Sequence, residues 1–357
     1  MIDGMQGKLR VQIALPPDGV FHHEDLRPGL SVTYGPRSVS RDDIIAFATA
    51  YDPQPIHLDE EAAKASIVGG LCASGFHTCA IMMRLLCDHF LLRSTSLGSP
   101  GLDEVKWHKP VRPGDSLWVR IGVLESRELQ SRPDVGLSKM TFELIDQSGA
   151  AVLEATTNQM MRRRQAGAAK PIDRKPKTAK TPTPNLWDEP ATTDVPTYGN
   201  YFEDIVVGEV QAIGGHTFER DEIIAFARQF DPQPFHLSEE GGQNSLFGGL
   251  AASGWHTAAI FIRQVVRARQ QHEAALRMAR KTLAQWGPSP GFRNLGWLRP
   301  VLMGDHLEFR NKTIEKRVLK SRPSRGLVIS QAEGRNQKGE IAYRFTGQMF
   351  VERRSPD

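Results

Sequence analysis

The sequence predicts an α+β protein made of two tandem units, each with an antiparallel sheet wrapped around one central helix. Three observations support this prediction. The chain has 357 residues, which is enough for two domains of ordinary size. Residues 47–84 and 226–263 align with each other without a gap. Within a copy, one largely apolar helical segment is followed by several segments with the alternating pattern of strands.

The repeat extends well beyond this stretch. Asp52 matches Asp231 at an offset of 231 − 52 = 179 residues, and Trp107 matches Trp297 farther along at an offset of 297 − 107 = 190. The second copy therefore carries 190 − 179 = 11 extra residues between positions 263 and 291. Their composition predicts a basic, solvated helix that runs through Gln270, Glu273, Arg277 and Lys281.

A segment rich in proline, lysine, threonine and alanine separates the two copies at residues 165–196. Such a composition buries too little apolar surface to form a core, and it favours an extended, semi-rigid spacer. We therefore expect a first domain at residues 1–164, a linker at 165–196 and a second domain at 197–357.

The composition is that of a packed globular protein, with 39% hydrophobic and 24% charged residues. The net charge of +4 does not imply a nucleic-acid partner, and it suits a substrate with phosphates. No apolar run reaches the ~20 residues that span a bilayer, and residues 1–10 lack a signal-peptide core. Cys72, Cys79 and Cys87 are spaced as buried thiols on one helix face. We expect a cytoplasmic protein without a membrane partner.

The elements of the first copy follow in chain order. Residues 41–51 predict a helix that Ser40 caps, and the prolines at 53 and 55 must leave that helix. The segment from Gly70 to about Asp88 predicts a helix that is apolar on most sides and therefore buried. Strands are predicted at 117–124, 138–145 and 152–160, with turn signals between them.

The most informative motif is DPQPIH at residues 52–57, which recurs as DPQPFH at 231–236. It puts Asp52 and His57, and likewise Asp231 and His236, on a short loop that prolines stiffen. Positioned acid–base groups need such stiffness, and a carboxylate can orient a histidine or share a bound water with it. The structural alternative is a loop-stabilising Asx turn beside an exposed histidine.

A second repeated motif contains Gly70 and Gly249 and is predicted to open the apolar helix. Free N–H groups and the positive helix end favour an oxyanion there, and glycine permits its close approach. Tight helix packing is the alternative role for these glycines. His77 and His256 are expected to be core histidines. No metal is expected, because His57 and His77 have no recurring third ligand.

At these residues the chain resembles the MaoC-like dehydratase family, which includes the (R)-specific enoyl-CoA hydratases. The family pattern is D-x-N-P-[LIV]-H, followed by H-G-M at the start of the central helix. This sequence has DPQPIH with GGL at 69–71, and DPQPFH with GGL at 248–250. It departs from the pattern with glutamine in place of asparagine, and with glycine in place of the histidine of H-G-M.

The resemblance implies a double hot-dog fold with sites near the contact of the two units. The Asp–His pair of each copy would be a catalytic dyad, and the N–H groups of Gly70 and Gly249 would polarise the thioester carbonyl. No cofactor is implied. The predicted function is a hydro-lyase of the enoyl-CoA hydratase type, which adds or removes water at the double bond of an α,β-unsaturated acyl-CoA.

Two other hypotheses remain at this point, a non-catalytic acyl-thioester-binding protein and a hot-dog thioesterase. A binding protein has no need of an aspartate and a histidine held together, so the sequence favours the hydratase. Coenzyme A would be bound through its phosphates by arginine. Arg132 and Arg322 recur in an S-R-P turn, near Lys109, Arg112 and Arg299. Ordinary solvated side chains are the alternative for these cations.

The two copies are expected to pack as an intramolecular pseudo-dimer, because a single sheet leaves edges to cover. The sequence leaves open whether two chains pair further into a homodimer. Both copies keep the dyad, and we expect both to work. Phe235 in place of Ile56, Trp255 in place of Phe76 and the insertion leave open that one site is narrower.

Overall fold

The computed structural model describes residues 16, 18–165, 185–191 and 199–354. Most of the predicted linker lies outside the described residues, as does the N-terminal segment considered for a signal peptide. Within the described part of the chain, no helix has both the length and the apolarity needed to cross a membrane.

The first unit contains helices α1 (Arg41–Tyr51), α2 (Pro55–Leu58), α3 (Glu60–Ala65) and α4 (Gly75–His89), and 3-10 turns at His23–Asp25 and Leu91–Arg93. Its strands are β1 (Ser31–Ser38), β2 (Ser96–Gly98), β3 (Gly101–Trp107), β4 (Ser116–Leu129), β5 (Arg132–Asp146) and β6 (Ala151–Arg162). The second unit contains helices α5 (Arg220–Phe230), α6 (Pro234–Leu237), α7 (Glu239–Gln243) and α8 (Gly254–Met278), and a 3-10 turn at Phe202–Asp204. Its strands are β7 (Val210–Thr217), β8 (Gly291–Trp297), β9 (His306–Val318), β10 (Arg325–Asn336) and β11 (Ile341–Glu352).

One antiparallel sheet runs through both units. Its strand order is β1-β4-β5-β6-β3 in the first unit, continuing as β8-β11-β10-β9-β7 in the second, while β2 pairs with β6 beside this path. The junction is the antiparallel pair β3–β8, whose register runs from Gly101 opposite Gly296 to Lys106 opposite Gly291. The two halves therefore repeat one strand order and meet at the β3–β8 pair. This agrees with the prediction of two tandem α+β units.

The central helices α4 and α8 lie inside the sheet and share one hydrophobic core across both units. The rings of Phe47 and Phe230 lie 5.6 Å apart, and those of Tyr51 and Phe226 also lie 5.6 Å apart, so α1 and α5 meet at the unit boundary. Together with the shared sheet, these contacts confirm the predicted intramolecular pseudo-dimer.

The first helix of the repeat has the predicted bounds, and Ser40 caps it by accepting a hydrogen bond from the Asp43 N–H. The prediction that the central helix starts at Gly70 is wrong. It starts at Gly75, because the Ser74 hydroxyl caps it, while Gly70 has φ +150°, outside the helical region. Cys72 therefore lies in the preceding loop and not on a helix face, although all three cysteines are free and buried.

The predicted helix in the insertion is present as an extension of α8. This helix has 25 residues, whereas α4 has 15. It ends at Met278, before Lys281, and Arg280 just beyond it has a left-handed φ of +54°.

Candidate functional site

The end of a helix positions the aspartate of each dyad. Asp231 is the C-cap of α5, and its N–H donates to the Ala227 carbonyl at 2.9 Å. The next two prolines end that helix, and Pro234 opens the single turn α6, which carries His236 back toward the aspartate. Asp52 occupies the same position at the end of α1.

Both Asp–His pairs are formed, and both are buried. The Oδ2 of Asp231 lies 3.4 Å from the Nε2 of His236, and the corresponding distance from Asp52 to His57 is 3.6 Å. All four residues are at most 6% exposed. The proline-stiffened motif therefore brings the predicted residues together in each unit, and the alternative of an exposed histidine is wrong for both.

Three groups hold the second dyad in place. The Ser253 hydroxyl donates to Asp231 Oδ2 at 2.6 Å, and the Gln233 amide donates to Oδ1 at 2.9 Å. The Nδ1 of His236 lies 2.7 Å from the Ala251 carbonyl oxygen, which can only accept. In the first dyad, Ser74, Gln54 and the Cys72 carbonyl make the same three contacts.

Sequence reasoning did not assign roles to these serines and glutamines. Ser253 has two roles, since its oxygen also accepts from the Trp255 N–H at the start of α8. One polar residue thus joins the helix cap to the carboxylate. The repetition of the A-S-G step in both copies was the available signal.

The carboxyl group of Asp231 is held in its ionised form. Complete burial alone would raise its pKa, but the charge of a protonated His236 ring and the hydrogen bonds from that ring, Ser253 and Gln233 outweigh burial. Together they lower the pKa below its ordinary value.

The second dyad has one contact that the first lacks. The Cys87 thiol, on α4 of the first unit, donates to Asp231 Oδ1 at 3.4 Å. Burial and the Asp231 carboxylate raise the pKa of this thiol, so it stays protonated as a donor. The residue that matches Cys87 at the offset of 179 is Val266, which has no donor. The first unit therefore contributes a donor to the aspartate of the second dyad, whereas Val266 offers no such donor to Asp52.

A cavity of about 330 Å³ opens onto the second dyad. Asp231 and His236 line it together with second-unit residues that include Gly254, Trp255 and Trp297. The first unit supplies the facing wall, which includes three apolar side chains of α4: Met82, Met83 and Leu86.

The corresponding space in the second unit is smaller. A cavity of about 130 Å³ is lined by Phe261, Phe292 and Phe345, where the first unit has smaller residues at the matching positions. The ring of Phe345 lies 5.0 Å from that of Phe261 and 5.7 Å from that of Phe292. Neither Asp52 nor His57 lines either of these two cavities.

The α8 extension also contacts the first dyad loop, since the Gln270 amide donates to the Pro53 carbonyl at 2.9 Å. The insertion therefore touches the first site as well as lengthening the helix.

The predicted oxyanion glycines are not at a helix start. The Gly70 N–H donates to the Ala63 carbonyl at 3.0 Å, and Gly249 lies five positions before Gly254, where α8 begins. Gly254 lines the 330 Å³ cavity, and no acceptor for its N–H occurs among residues 16, 18–165, 185–191 and 199–354. At the start of α8, the glycine that lies on the cavity is therefore Gly254 and not Gly249.

The predicted phosphate-binding arginines lie away from the cavity. Arg132 pairs with Asp134 at 3.0 Å, and Arg322 lies over the Phe350 ring, so both have surface contacts. Arg299 does line the cavity, and its side chain is 60% exposed. Arg299 also forms an exposed ion pair with Glu340 at 3.6 Å. The other two predicted cations have partners too: Arg112 donates to loop carbonyls that include that of Gly70, and Lys109 pairs with Asp146.

The two helix histidines are core residues, as predicted. The ring of His77 stacks on Phe47 at 4.5 Å, and that of His256 stacks on Phe226 at 4.8 Å. Burial lowers the pKa of both to about 3. In the part of the chain that the structure describes, no group of three or more metal-binding side chains converges.

Comparison with known proteins agrees with this architecture. The MaoC-like domain model matches residues 26–141 and 202–333, which together exceed half of the chain. A MaoC domain dehydratase from Chloroflexus aurantiacus superposes with a TM-score of 0.74 at 16% identity, covering 96% of this chain and 100% of that one. A Mycobacterium tuberculosis protein with a double hotdog fold superposes with a TM-score of 0.68 at 14% identity, covering 94% of this chain and 100% of that one.

One sequence relative is similar to part of the chain. The uncharacterized protein YdeM of Bacillus subtilis is 30% identical over 125 residues, which cover 35% of this chain and 87% of YdeM. The predicted double hot-dog fold is confirmed by the superpositions, and the motif resemblance by the two family matches. The chain belongs to the family of proteins with MaoC-like domains.

Proposed function

We propose that this chain is a hydratase or dehydratase that acts at the double bond of an α,β-unsaturated acyl-CoA, and that the second dyad does the chemistry. The observation that carries the proposal is the cavity of about 330 Å³, which joins Asp231 and His236 to the first amide of α8 and to an apolar wall. Ligand sites are typically cavities of this size, mostly apolar, with a few convergent polar groups.

The dyad can hold a water molecule between its two members. When the Nδ1–H of His236 donates to the Ala251 carbonyl and Nε2 has given up its proton, Nε2 and Asp231 Oδ2 are both acceptors. A water that donates one hydrogen to each acceptor satisfies both. Its oxygen then becomes a better nucleophile as the dyad draws a proton away.

In the hydration direction, the water oxygen bonds to the β carbon while one water proton passes to the dyad. The π electrons of the double bond move toward the thioester carbonyl oxygen, which becomes enolate-like. In this proposal the Gly254 N–H and the positive end of α8 stabilise that charge. The α carbon then takes a proton from the dyad, so one water has been added and the dyad returns to its initial state.

We assign the phosphates of coenzyme A to Arg299, because it combines an exposed guanidinium with a position on the cavity lining. This assignment replaces the expected role of Arg132 and Arg322.

The matched pair of substitutions Asp231→Asn and Asp52→Asn tests the proposal. Hydration of a panel of enoyl-CoA thioesters is followed by the absorbance of the conjugated thioester. Losing a positioned acid–base group costs ~10²–10⁴ in rate, so Asp231→Asn is expected to lose at least 100-fold in kcat. Asp52→Asn is expected to keep the activity of the unmodified chain, because Asp52 does not line the cavity.

Each other outcome has a distinct meaning. A similar partial loss in the two variants would establish the two working dyads predicted from the sequence. Release of free coenzyme A would identify a thioesterase. Binding of the thioesters with no turnover would identify a non-catalytic binding protein.

A further inference from the structure

One face of strand β6 points into the interior of the protein. Its side chains are apolar except for two that are polar. Alternate residues of a strand share one face, and the inward row of β6 is Leu153, Ala155, Thr157, Gln159 and Met161. Thr157 is 2% exposed and Gln159 is 4% exposed. Burial of polar groups costs free energy unless they are hydrogen-bonded, so these two side chains require an explanation.

The fold itself does not require polar side chains at these positions. At the offset of 190, Thr157 matches Gly347 and Gln159 matches Met349 on β11. On β11 these two positions carry no polar side chain, and Gly347 and Met349 line the smaller cavity. The polar pair is therefore specific to the unit that forms the wall of the larger cavity.

Thr157 and Gln159 line the 330 Å³ cavity together with two serines. The Thr157 hydroxyl lies 2.7 Å from the Gly101 carbonyl oxygen and 2.7 Å from the Ser99 hydroxyl. The Gln159 amide donates to the Ser96 hydroxyl at 2.7 Å. The first unit thus adds a cluster of uncharged polar side chains beside the apolar side chains of α4 on the same wall.

The Gln159 amide has unused hydrogen-bonding capacity. An amide has two N–H donors and a carbonyl oxygen with two lone pairs, and the bond to Ser96 is its one hydrogen bond to the described residues. One N–H and the carbonyl oxygen remain for a ligand. The cation on the cavity lining, Arg299, belongs to the second unit, so the first-unit wall has no charge to pair with a carboxylate.

We infer that the acyl group of the substrate carries a hydroxyl group, which the Gln159 amide binds as both donor and acceptor. The inference rests on the proposed function, because it assigns the cavity to the acyl group of that substrate. A hydroxyl can donate to the amide oxygen and accept from the amide N–H. An alkyl chain leaves both amide groups unpaired, and a carboxylate opposes the amide oxygen.

The test uses acyl-CoA thioesters of equal length, roughly four to eight carbons to suit the cavity, that end in a methyl group, a hydroxyl group or a carboxylate. Saturated thioesters measure binding by titration calorimetry, and unsaturated ones measure hydration. We expect the unmodified chain to prefer the hydroxylated thioester over the methyl-ended one by about 10-fold in both measurements, as for one buried hydrogen-bonding group.

Gln159→Met copies the residue at the same position of β11, and it is expected to remove this preference. Met349→Gln makes the reverse change on the wall of the smaller cavity and serves as the matched control. It is expected to leave the preference unchanged, because Met349 does not line the larger cavity.

Equal binding of the methyl-ended and hydroxylated thioesters, or an unchanged preference in Gln159→Met, would overturn the inference. A preference for the carboxylate would overturn the assignment of an uncharged group. Hydration of every unsaturated thioester without a preference would support the proposed function while overturning this inference. Tighter binding of the hydroxylated thioester that is lost in Gln159→Met, without hydration of any thioester, would support the inference while overturning the proposed function.

Discussion

The aspartates of the two dyads have the same serine and glutamine donors, and they differ in the Cys87 thiol that reaches Asp231 from the other unit. A donor to a carboxylate stabilises its charged form. Cys87 is therefore a positioning residue, since it acts on the reaction through Asp231.

Replacing Cys87 with valine, the residue at the matching position of α8, is expected to slow hydration. Loss of one hydrogen bond of ordinary strength corresponds to about a 2- to 10-fold decrease in kcat. Without this donor the pKa of Asp231 rises, so the acidic limb of the pH–rate profile moves to higher pH. The measurement is kcat between pH 4 and pH 8 for both proteins.

Cys87→Ser keeps a donor at this position and is expected to restore the profile. Cys79→Val, at a buried cysteine elsewhere on α4, is the control for packing. If Cys79→Val moved the acidic limb as far as Cys87→Val, the role of the thiol would be only structural.

The local motif was sufficient to predict both dyads, because the prolines that stiffen the DPQP loop are adjacent to the residues they position. It could not predict Cys87, which approaches Asp231 from 144 positions away in the chain. Likewise, the cavity asymmetry depends on Phe261, Phe292 and Phe345, whose common location is a property of the folded sheet. Contacts of this kind have no local sequence signal.

Among the elements, helix α1 could be predicted to the residue, because Ser40 and the prolines mark its two ends. The start of α4 could not, since apolar residues continue from Leu71 to Ala73 without a change in pattern. The hydrogen bond from Ser74 to Asp52 and the cap that Ser74 forms set the start instead. A five-residue error in this boundary is the reason that the sequence analysis assigned the oxyanion donor to Gly249, whereas the proposed function assigns it to Gly254.

The strand pair β3–β8 depends on two glycines at matching positions, Gly101 and Gly291. A Cβ atom on Gly101 would lie 1.9 Å from the Leu295 carbonyl oxygen, and φ there is +155°. Gly101→Ala is therefore expected to lower the free energy of unfolding by about 1–3 kcal/mol and to weaken thioester binding. Urea unfolding and calorimetry measure the two effects.

Gly114→Ala is the matched control for that substitution. Gly114 also has a left-handed φ, +89°, but a Cβ atom there would meet nothing within 4 Å. Gly114→Ala is expected to lower the free energy of unfolding through backbone strain without affecting thioester binding. A larger loss of binding in Gly114→Ala than in Gly101→Ala would refute the role assigned to the strand junction.

For the whole molecule, one sheet and one core that span both units favour a single cooperative unfolding transition. Its pH dependence follows from His77 and His256, which burial holds neutral with pKa values of about 3. In the unfolded chain a histidine takes up a proton below about pH 6.5. The unfolded state therefore binds more protons, and stability falls as the pH falls below this value.

Between pH 7 and pH 5, each of these two histidines is expected to lower the free energy of unfolding by about 2 kcal/mol. His256→Phe removes one titrating group from a ring-lined site and is expected to remove that share of the decrease. His108→Gln, at an exposed histidine, is the control. Urea unfolding at the two pH values measures the difference, and an unchanged decrease in His256→Phe would contradict the assignment.

First-unit residues form one wall of the cavity at the second dyad, and this arrangement has an evolutionary consequence. In the proposed function, the acid–base groups are encoded in the second half of the gene, and much of the wall that contacts the acyl group is encoded in the first half. Mutations at Met82, Leu86 or Gln159 can then alter which substrate is accepted while the catalytic half remains unchanged. Duplication would thus have separated two properties that a single ancestral unit had to encode in the same residues, so that selection could act on each one independently.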